Sequence, residues 1–173
     1  MWFICHGYGQ LASTFIRKFD QLAGPDDYVV APEGLSRVYW GGLTGKVAAS
    51  WRTSADRLDE IADYAAMLST IFKQQRNLLA PEVQVIFFGF SQGCSTVVRW
   101  LLREQLDFDQ LWLWAGQIPE DVSYDAVRSS WNTKPIHAFI GTQDPLITPE
   151  RLTVLQKYVA DSGLIIQEHA YEG

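Results

Sequence analysis

Residues 83–93 read VQVIFFGFSQG, a nearly continuous apolar run that leads into the pattern G-x-S-x-G. The apolar run is typical of a buried strand, and the residues from about 94 to 105 favour a helix. A serine between the two, with glycines two residues away on each side, fits a sharp strand-to-helix turn in which bulky neighbours would clash. The helix N-terminus would then point at the Ser91 hydroxyl, and its dipole favours negative charge. The stretch predicts a serine nucleophile, with an ordinary serine in a glycine-flanked turn as the alternative.

Short apolar runs alternate with helical segments along the rest of the chain. Strands are predicted at residues 2–5, 28–31, 83–88, 111–114 and 136–140 and from 164 onward. Helices are predicted at 11–22, at 94–105 and from Thr148 to Gly163. A further helix is predicted to start at a capping box formed by Thr53 and Asp56 and to end before Pro81. A long loop is predicted over 32–51. This alternation predicts an α/β fold with a mostly parallel sheet of about six strands and helices on both faces. Ligands of such sheets lie beyond the carboxyl ends of the strands, so the residues that follow each strand are the candidates for a site.

The composition limits the classes of function. The chain has 173 residues, which suit one domain, and its net charge of -6 argues against a nucleic-acid partner. No run approaches the roughly 18 apolar residues that a membrane span needs, and no signal peptide is visible. Cys5 and Cys94 do not make a disulfide framework, and Cys94 is expected to be a small buried residue. These features predict a cytoplasmic protein.

A glycine-rich turn follows the first predicted strand, with the sequence His6-Gly7-Tyr8-Gly9-Gln10. Acyl transfer needs two N–H donors aimed at the oxyanion that develops on the substrate. The N–H of Gln92, directly after the predicted nucleophile, and the N–H of Tyr8 are the candidates. His6 is expected to shape this turn rather than to act as the base, because the chain order in this architecture runs serine, acid, histidine.

Asp144 follows the fifth predicted strand in the sequence Gly141-Thr142-Gln143-Asp144-Pro145. An acid at the end of a late strand can orient a histidine and stabilise its charged form. Both its order and its position make Asp144 the candidate acid. The alternative is an aspartate that only forms a turn, since Asp-Pro commonly does so.

Taken together, the chain resembles the phospholipase/carboxylesterase family of α/β-hydrolases, which includes acyl-protein thioesterases. The resemblance covers nearly the whole chain and rests on His6-Gly7-x-Gly9, Ala31-Pro32, Gly89-Phe90-Ser91-Gln92-Gly93, Gly116 with Pro119, Gly141-x-x-Asp144 and Tyr171-Glu172-Gly173. It implies an α/β-hydrolase fold with Ser91 as nucleophile, Asp144 as acid, and Tyr8 and Gln92 as oxyanion donors. The chain departs from the family at Gln10, where an acidic residue is usual, at Ala115, where serine is usual, and over residues 33–51.

The resemblance places the base histidine one or two residues after Gly173. It therefore implies a single domain over 1–173 that lacks a C-terminal segment carrying this histidine. Of the three histidines present, His137 lies within a predicted strand, and His169 is a possible base if a short loop brings it near Asp144. Without a base, a serine at its ordinary pKa is a poor nucleophile.

The implied function is a serine hydrolase that cleaves small carboxylic esters or thioesters through an acyl-enzyme, without a cofactor or metal. Candidates for an acyl pocket are Tyr39, Trp40, Trp51 and Trp114, and each of these side chains can equally be core or surface packing. A hydrolase of amides or dienelactones is an alternative, although relatives of the latter often use cysteine as nucleophile. A second alternative is a non-catalytic binding domain that lacks the base, and a homodimer is possible through exposed aromatic residues.

Overall fold

Six parallel strands form the central sheet of the computed structural model, which describes residues 1–145 and 148–173. Their order is β2-β1-β5-β6-β7-β8, and every neighbouring pair is parallel. The strands are β1 (Trp2–Cys5), β2 (Val29–Val30), β5 (Ile86–Phe90), β6 (Gln110–Trp114), β7 (Ile136–Gly141) and β8 (Gln167–Tyr171). The predicted α/β fold and its parallel sheet are confirmed.

The direction in which the chain winds changes between β1 and β5. From β1 the chain first adds β2 on one side, and it later continues on the other side with β5 and the strands beyond it. Cys5 and Gly89 lie side by side in the register of these two central strands. The turn at residues 6–10 and Ser91 therefore leave the sheet next to each other at its carboxyl edge, where ligands of such sheets bind.

Helices cover the sheet on both faces because side chains alternate between its faces along each strand. On one face, α2 (Arg57–Arg76) and α3 (Gln92–Glu104) enclose the larger core, in which the Phe3 ring lies 5.0 Å from that of Trp100. On the other face, α1 (Ala12–Phe15) and a 3-10 helix (Ile16–Gln21) pack on Ile4 and Phe88. The remaining helices are α4 (Arg128–Trp131) and α5 (Pro149–Ser162).

The segment predicted as a long loop contains a β-hairpin. Strands β3 (Ser36–Tyr39) and β4 (Val47–Ser50) pair antiparallel in a separate two-stranded sheet. Glycines and exposed aromatic residues obscure the pattern of these strands in the sequence. β4 is nevertheless buried along Ala48, Ala49 and Ser50, because it passes beneath the turn at residues 6–10, where Gly9 N–H donates to the Ala49 carbonyl at 2.9 Å.

Several predicted boundaries are corrected by the structure. The capping box is wrong: Asp56 precedes α2 in a left-handed conformation (φ 45°) without a side-chain cap, and Thr53 bonds Glu60 instead. The predicted start of the last strand is three residues too early, since Leu164 is a core residue that precedes β8. The capping of α5 is confirmed, with the Thr148 side chain accepting from Arg151 N–H at 3.3 Å. In the described part of the chain, no helix has the length and apolarity needed to span a membrane.

Candidate active site

Ser91 lies at the apex of the turn between β5 and α3, with φ 51° and ψ -115°. Two glycines allow this turn. A Cβ on Gly89 would lie 2.5 Å from the Cys94 Cα, and one on Gly93 would lie 2.1 Å from the Cys5 carbonyl oxygen. Because both contacts involve backbone, a side chain at either position would separate α3 from the sheet. The G-x-S-x-G pattern therefore has the steric basis expected for a strained turn that presents a serine.

The residues at the end of β6 also hold Ser91 in position. Ser91 N–H donates to the Trp114 carbonyl at 2.9 Å. A Cβ on Gly116 would lie 2.5 Å from the Ser91 carbonyl oxygen and 2.6 Å from the Cys94 sulfur, so only glycine fits there. Cys94 is fully buried, as expected, and burial raises the pKa of its thiol to about 12.

The turn after β1 is held by side chains that accept hydrogen bonds. The His6 side chain is buried, and its Nε2 accepts a hydrogen bond from Gly34 N–H at 3.0 Å. Because Nε2 is an acceptor, the proton of the neutral imidazole lies on Nδ1, which donates to the Gly7 carbonyl at 2.8 Å. Burial lowers the pKa of this imidazole. The Gln10 side-chain oxygen accepts from Gly7 N–H at 2.9 Å. The expectation that His6 shapes this turn is confirmed, and Gln10 supplies the acceptor that an acidic residue would also offer.

Two backbone N–H groups were predicted as oxyanion donors: that of Gln92, which lines the Ser91 cavity, and that of Tyr8, which is not among the described residues that line it. Within residues 1–145 and 148–173, neither Tyr8 N–H nor Gln92 N–H donates a hydrogen bond to a protein acceptor. The Gln92 side chain, in contrast, is fully used: its oxygen accepts from Trp51 N–H at 3.1 Å and its amide donates to the Arg52 carbonyl at 2.9 Å. Gln92 thereby ties the segment after β4 to the start of α3.

Asp144 follows β7 and lines the same cavity as Ser91. The backbone before it is joined to the last described residues of the chain. Gln143 N–H donates to the Gly173 carbonyl at 2.8 Å, and Thr142 N–H donates to the Tyr171 carbonyl at 2.9 Å. The segment around Gly173 therefore lies directly beside the loop that carries Asp144.

None of the three histidines is among the described residues that line this cavity. His169 lies on β8, where its ring stacks on Phe139 at 4.8 Å and its Nε2 is 3.0 Å from His137 Nδ1. Burial, and then the neighbouring His169, lower the pKa of His137. The structure thus brings Ser91 and Asp144 to one cavity and places the possible base His169 outside its lining.

The four aromatic residues considered for an acyl pocket have other environments. Trp51 is buried in the core, where its indole N–H donates to the His6 carbonyl at 2.7 Å, and Trp114 stacks on Phe139 within the sheet. About half of the Tyr39 and Trp40 side-chain surfaces is exposed, and Trp40 packs on Tyr8. None of the four lines the cavity at Ser91 as the described residues form it.

The cavity has a volume of about 720 Å³ and a strongly charged lining. Its described charged residues are four arginines and three acids: Arg52, Arg57, Arg99, Arg151, Glu120, Asp121 and Asp144. Asp121 pairs with both Arg57 and Arg99. The described residues contain no group of three or more His, Cys, Asp or Glu side chains that could hold a metal ion.

Comparison with known proteins identifies the family of the chain. The model of one protein family, phospholipase/carboxylesterase, matches residues 3–173. The chain belongs to the phospholipase/carboxylesterase family. Membership assigns it to the hydrolases of the esterase kind. No curated protein sequence matches the chain.

Solved structures of similar fold support this family assignment at the level of the fold. Acyl-protein thioesterase 2 from Zea mays is 14% identical with a TM-score of 0.72, over 99% of this chain and 84% of that one. Atu2452 from Agrobacterium tumefaciens, a protein of unknown function, is 20% identical with a TM-score of 0.68, and the match covers 100% of this chain and 81% of that one. A Bacillus cereus carboxylesterase is 13% identical with a TM-score of 0.66, and the match covers 99% of this chain and 78% of that one.

The arginines are the site residues of this family member that the sequence did not reveal. Arg52 directly follows the segment over 33–51 that departs from the family pattern, and Arg57 begins α2. One signal was present: Arg99 interrupts the run Val97-Val98-Arg99-Trp100-Leu101, whose other members are all fully buried. A charged residue within a buried run requires a partner or a function, because burying an unpaired charge is costly.

Proposed function

We propose that this chain hydrolyses carboxylic esters or thioesters through an acyl-enzyme formed on Ser91. The observation that carries the proposal is the backbone conformation of Ser91. A serine at φ 51° and ψ -115° occupies a conformation that side chains rarely adopt, and such strain is concentrated at functional sites. Here it presents the serine to a cavity rather than to the core.

In the proposed mechanism, Ser91 Oγ attacks the carbonyl carbon while a base accepts the hydroxyl proton. The negative charge that develops on the carbonyl oxygen is stabilised by the N–H groups of Tyr8 and Gln92, which have no other acceptor in the described part of the chain. Collapse of the tetrahedral intermediate expels the alcohol or thiol, which takes the proton from the base. Water, deprotonated by the same base, then releases the acid and restores the serine.

Asp144 is proposed as the acid that orients the base. The contact between Gln143 and Gly173 supports a base that follows Gly173, because a histidine one or two residues further would begin beside the Asp144 loop. His169 is the alternative base within the described chain. It would have to leave His137 and Phe139 to reach the cavity.

The proposed substrate is a small acyl ester or thioester, in a protein that functions in the cytoplasm. The competing hypothesis is a binding domain without catalysis. One observation favours that hypothesis: no histidine is found among the cavity residues that the structure describes. A homodimer stays a prediction from the sequence.

The test is labelling by a fluorophosphonate, which reacts with activated serines, measured as an increase in intact mass. We expect one adduct per chain in the protein that carries its base, and this adduct should disappear in Ser91→Ala. His169→Gln serves as the second variant, because it removes the only alternative base without touching the cavity lining. Loss of labelling in His169→Gln would assign the base to His169, whereas unchanged labelling would exclude it.

The same labelling on a chain that continues past Gly173 into a Gly-His segment locates the base. If only the continued chain reacts, the base lies after Gly173, as the family resemblance implies. If neither chain reacts at Ser91, the serine is not activated, and the hydrolase proposal gives way to the binding domain.

A further inference from the structure

Buried polar atoms without partners are concentrated at one place in the molecule. Among the described residues, six buried side-chain nitrogen or oxygen atoms lack a hydrogen-bond partner. Five of them belong to residues that line the Ser91 cavity: Arg52 Nε, Arg57 Nε, Arg99 Nε, Arg99 Nη1 and Gln117 Oε1. A buried polar atom that lacks a partner costs free energy, so these atoms require partners that the described protein residues do not supply, either water or a ligand.

Arg99 is the most buried charge in this cluster. Only 6% of its side-chain surface is exposed, and its one ion pair, through Nη2, is with Asp121. The buried Tyr64 hydroxyl lies beside Arg99, yet neither that hydroxyl nor Nε and Nη1 of Arg99 has a partner with hydrogen-bond geometry. Asp121 therefore uses one of the three guanidinium nitrogens of Arg99 and leaves the other two, Nε and Nη1, without an acceptor of hydrogen-bond geometry among the described residues.

The charges around Arg99 are not balanced. Asp121 is shared with Arg57, and Arg52 makes no ion pair with the described residues. Burial, followed by the nearby positive charge of Arg52, lowers the pKa of Arg99. Three arginines thus meet one carboxylate in a chain whose net charge is -6. Such a local excess of positive charge attracts an anion.

We propose that Arg52, Arg57 and Arg99 form a carboxylate-binding subsite beside Ser91. The inference rests on the proposed hydrolase function, and it narrows the substrate to an ester that carries a free carboxylate. Across the whole cavity, four arginines face three acids, which leaves one positive charge. That balance matches a monoanionic carboxylate better than a phosphate dianion, and guanidinium groups bind carboxylates with strong charge-assisted hydrogen bonds.

The geometry of α3 sets the length of the substrate. Ser95 and Arg99 follow Ser91 by one and two helical turns on the face that lines the cavity. Arg99 Cα is therefore about 12 Å along the helix from Ser91, and its side chain leans back toward the N-terminus of the helix. A short spacer between ester and carboxylate is expected. Gln92 places Arg52 at the same site through its hydrogen bond to the Arg52 carbonyl.

The test measures binding to the Ser91→Ala protein, which cannot form an acyl-enzyme, by isothermal titration calorimetry. The two probes are monomethyl succinate, which has one free carboxylate, and neutral dimethyl succinate. Hydrogen bonds to charged groups make us expect a Kd roughly 10- to 100-fold lower for monomethyl succinate. Arg52→Gln, at a partly exposed position, should remove most of this difference, and Arg99→Gln should do the same if it folds.

The matched control is Arg103→Gln, which removes an exposed arginine from the same helix outside the cavity and should leave the preference unchanged. Equal binding of the two probes, or a preference that survives Arg52→Gln, would overturn the subsite. Inorganic phosphate that competes with monomethyl succinate for the site and binds with a lower Kd would also overturn the carboxylate subsite, because the arginines would then prefer phosphate. Since binding needs no base, these outcomes are separate from the labelling result at Ser91.

Discussion

Replacing Ser91 by glycine and by alanine separates backbone strain from chemistry. Both variants lack the hydroxyl, so both should lose fluorophosphonate labelling, but only glycine accepts φ 51° and ψ -115° without strain. Strain of this kind costs on the order of 1–3 kcal/mol. Glycine also loses roughly 0.5–1 kcal/mol through the greater entropy of its unfolded chain. We therefore expect Ser91→Gly to be more stable than Ser91→Ala by up to about 2.5 kcal/mol.

Thermal unfolding followed by tryptophan fluorescence measures this difference. For a chain of this size, 1 kcal/mol corresponds to a Tm shift of about 2–4 °C, so Ser91→Gly should melt above Ser91→Ala by up to about 10 °C. Urea unfolding should give the same order of midpoints with unchanged slopes, since the surface buried is the same.

An alanine-to-glycine change where the backbone is unstrained provides the control. Ala66 is exposed in the middle of α2, and Ala66→Gly should lower stability by about 1 kcal/mol. If Ser91→Gly were also less stable than Ser91→Ala, the turn would not be strained, and the physical argument for Ser91 as the presented nucleophile would fail.

Two further predictions concern the scaffold. Gln105 ends α3 in an exposed left-handed conformation (φ 50°), so Gln105→Gly should raise the free energy of unfolding by about 0.5–1 kcal/mol, whereas Glu104→Gly, within the helix, should lower it. His6 has a pKa lowered by burial, so the unfolded chain binds a proton more readily. The stability that depends on neutral His6 is therefore present above the unfolded pKa near 6.5 and is lost as the pH falls below it. The urea concentration at the midpoint of unfolding should therefore fall when the pH is lowered from 7.5 to 5.5. If a His6→Gln variant shows the same fall, His6 is excluded as its cause.

Local patterns predicted the parts of the fold whose causes are local. The apolar run before Ser91 and the glycines around it predicted a strand, a turn and a helix, and the structure confirms each of them. The α5 helix was predicted from Thr148 and Gly163 because capping acts within a few residues. The capping box at Thr53 failed because α2 begins at Arg57, so Asp56 occupies the N-cap position and Thr53 lies three residues before it. Glu60, in the first turn of α2, instead bonds Thr53 N–H.

The sequence by itself therefore determined the order of the six strands of the main sheet and of the long helices, the strained turn and the family. Only the tertiary structure decided which charges meet at Ser91. Arg52 follows the hairpin, Arg57 begins α2, Arg99 lies in α3 and Asp121 follows β6, so four separate segments must fold together before their charges interact. Side-chain periodicity describes neighbours along one element, and it carries no information on which elements converge at one end of a sheet. That convergence follows from the parallel order of β1, β5, β6 and β7, whose carboxyl ends share one edge.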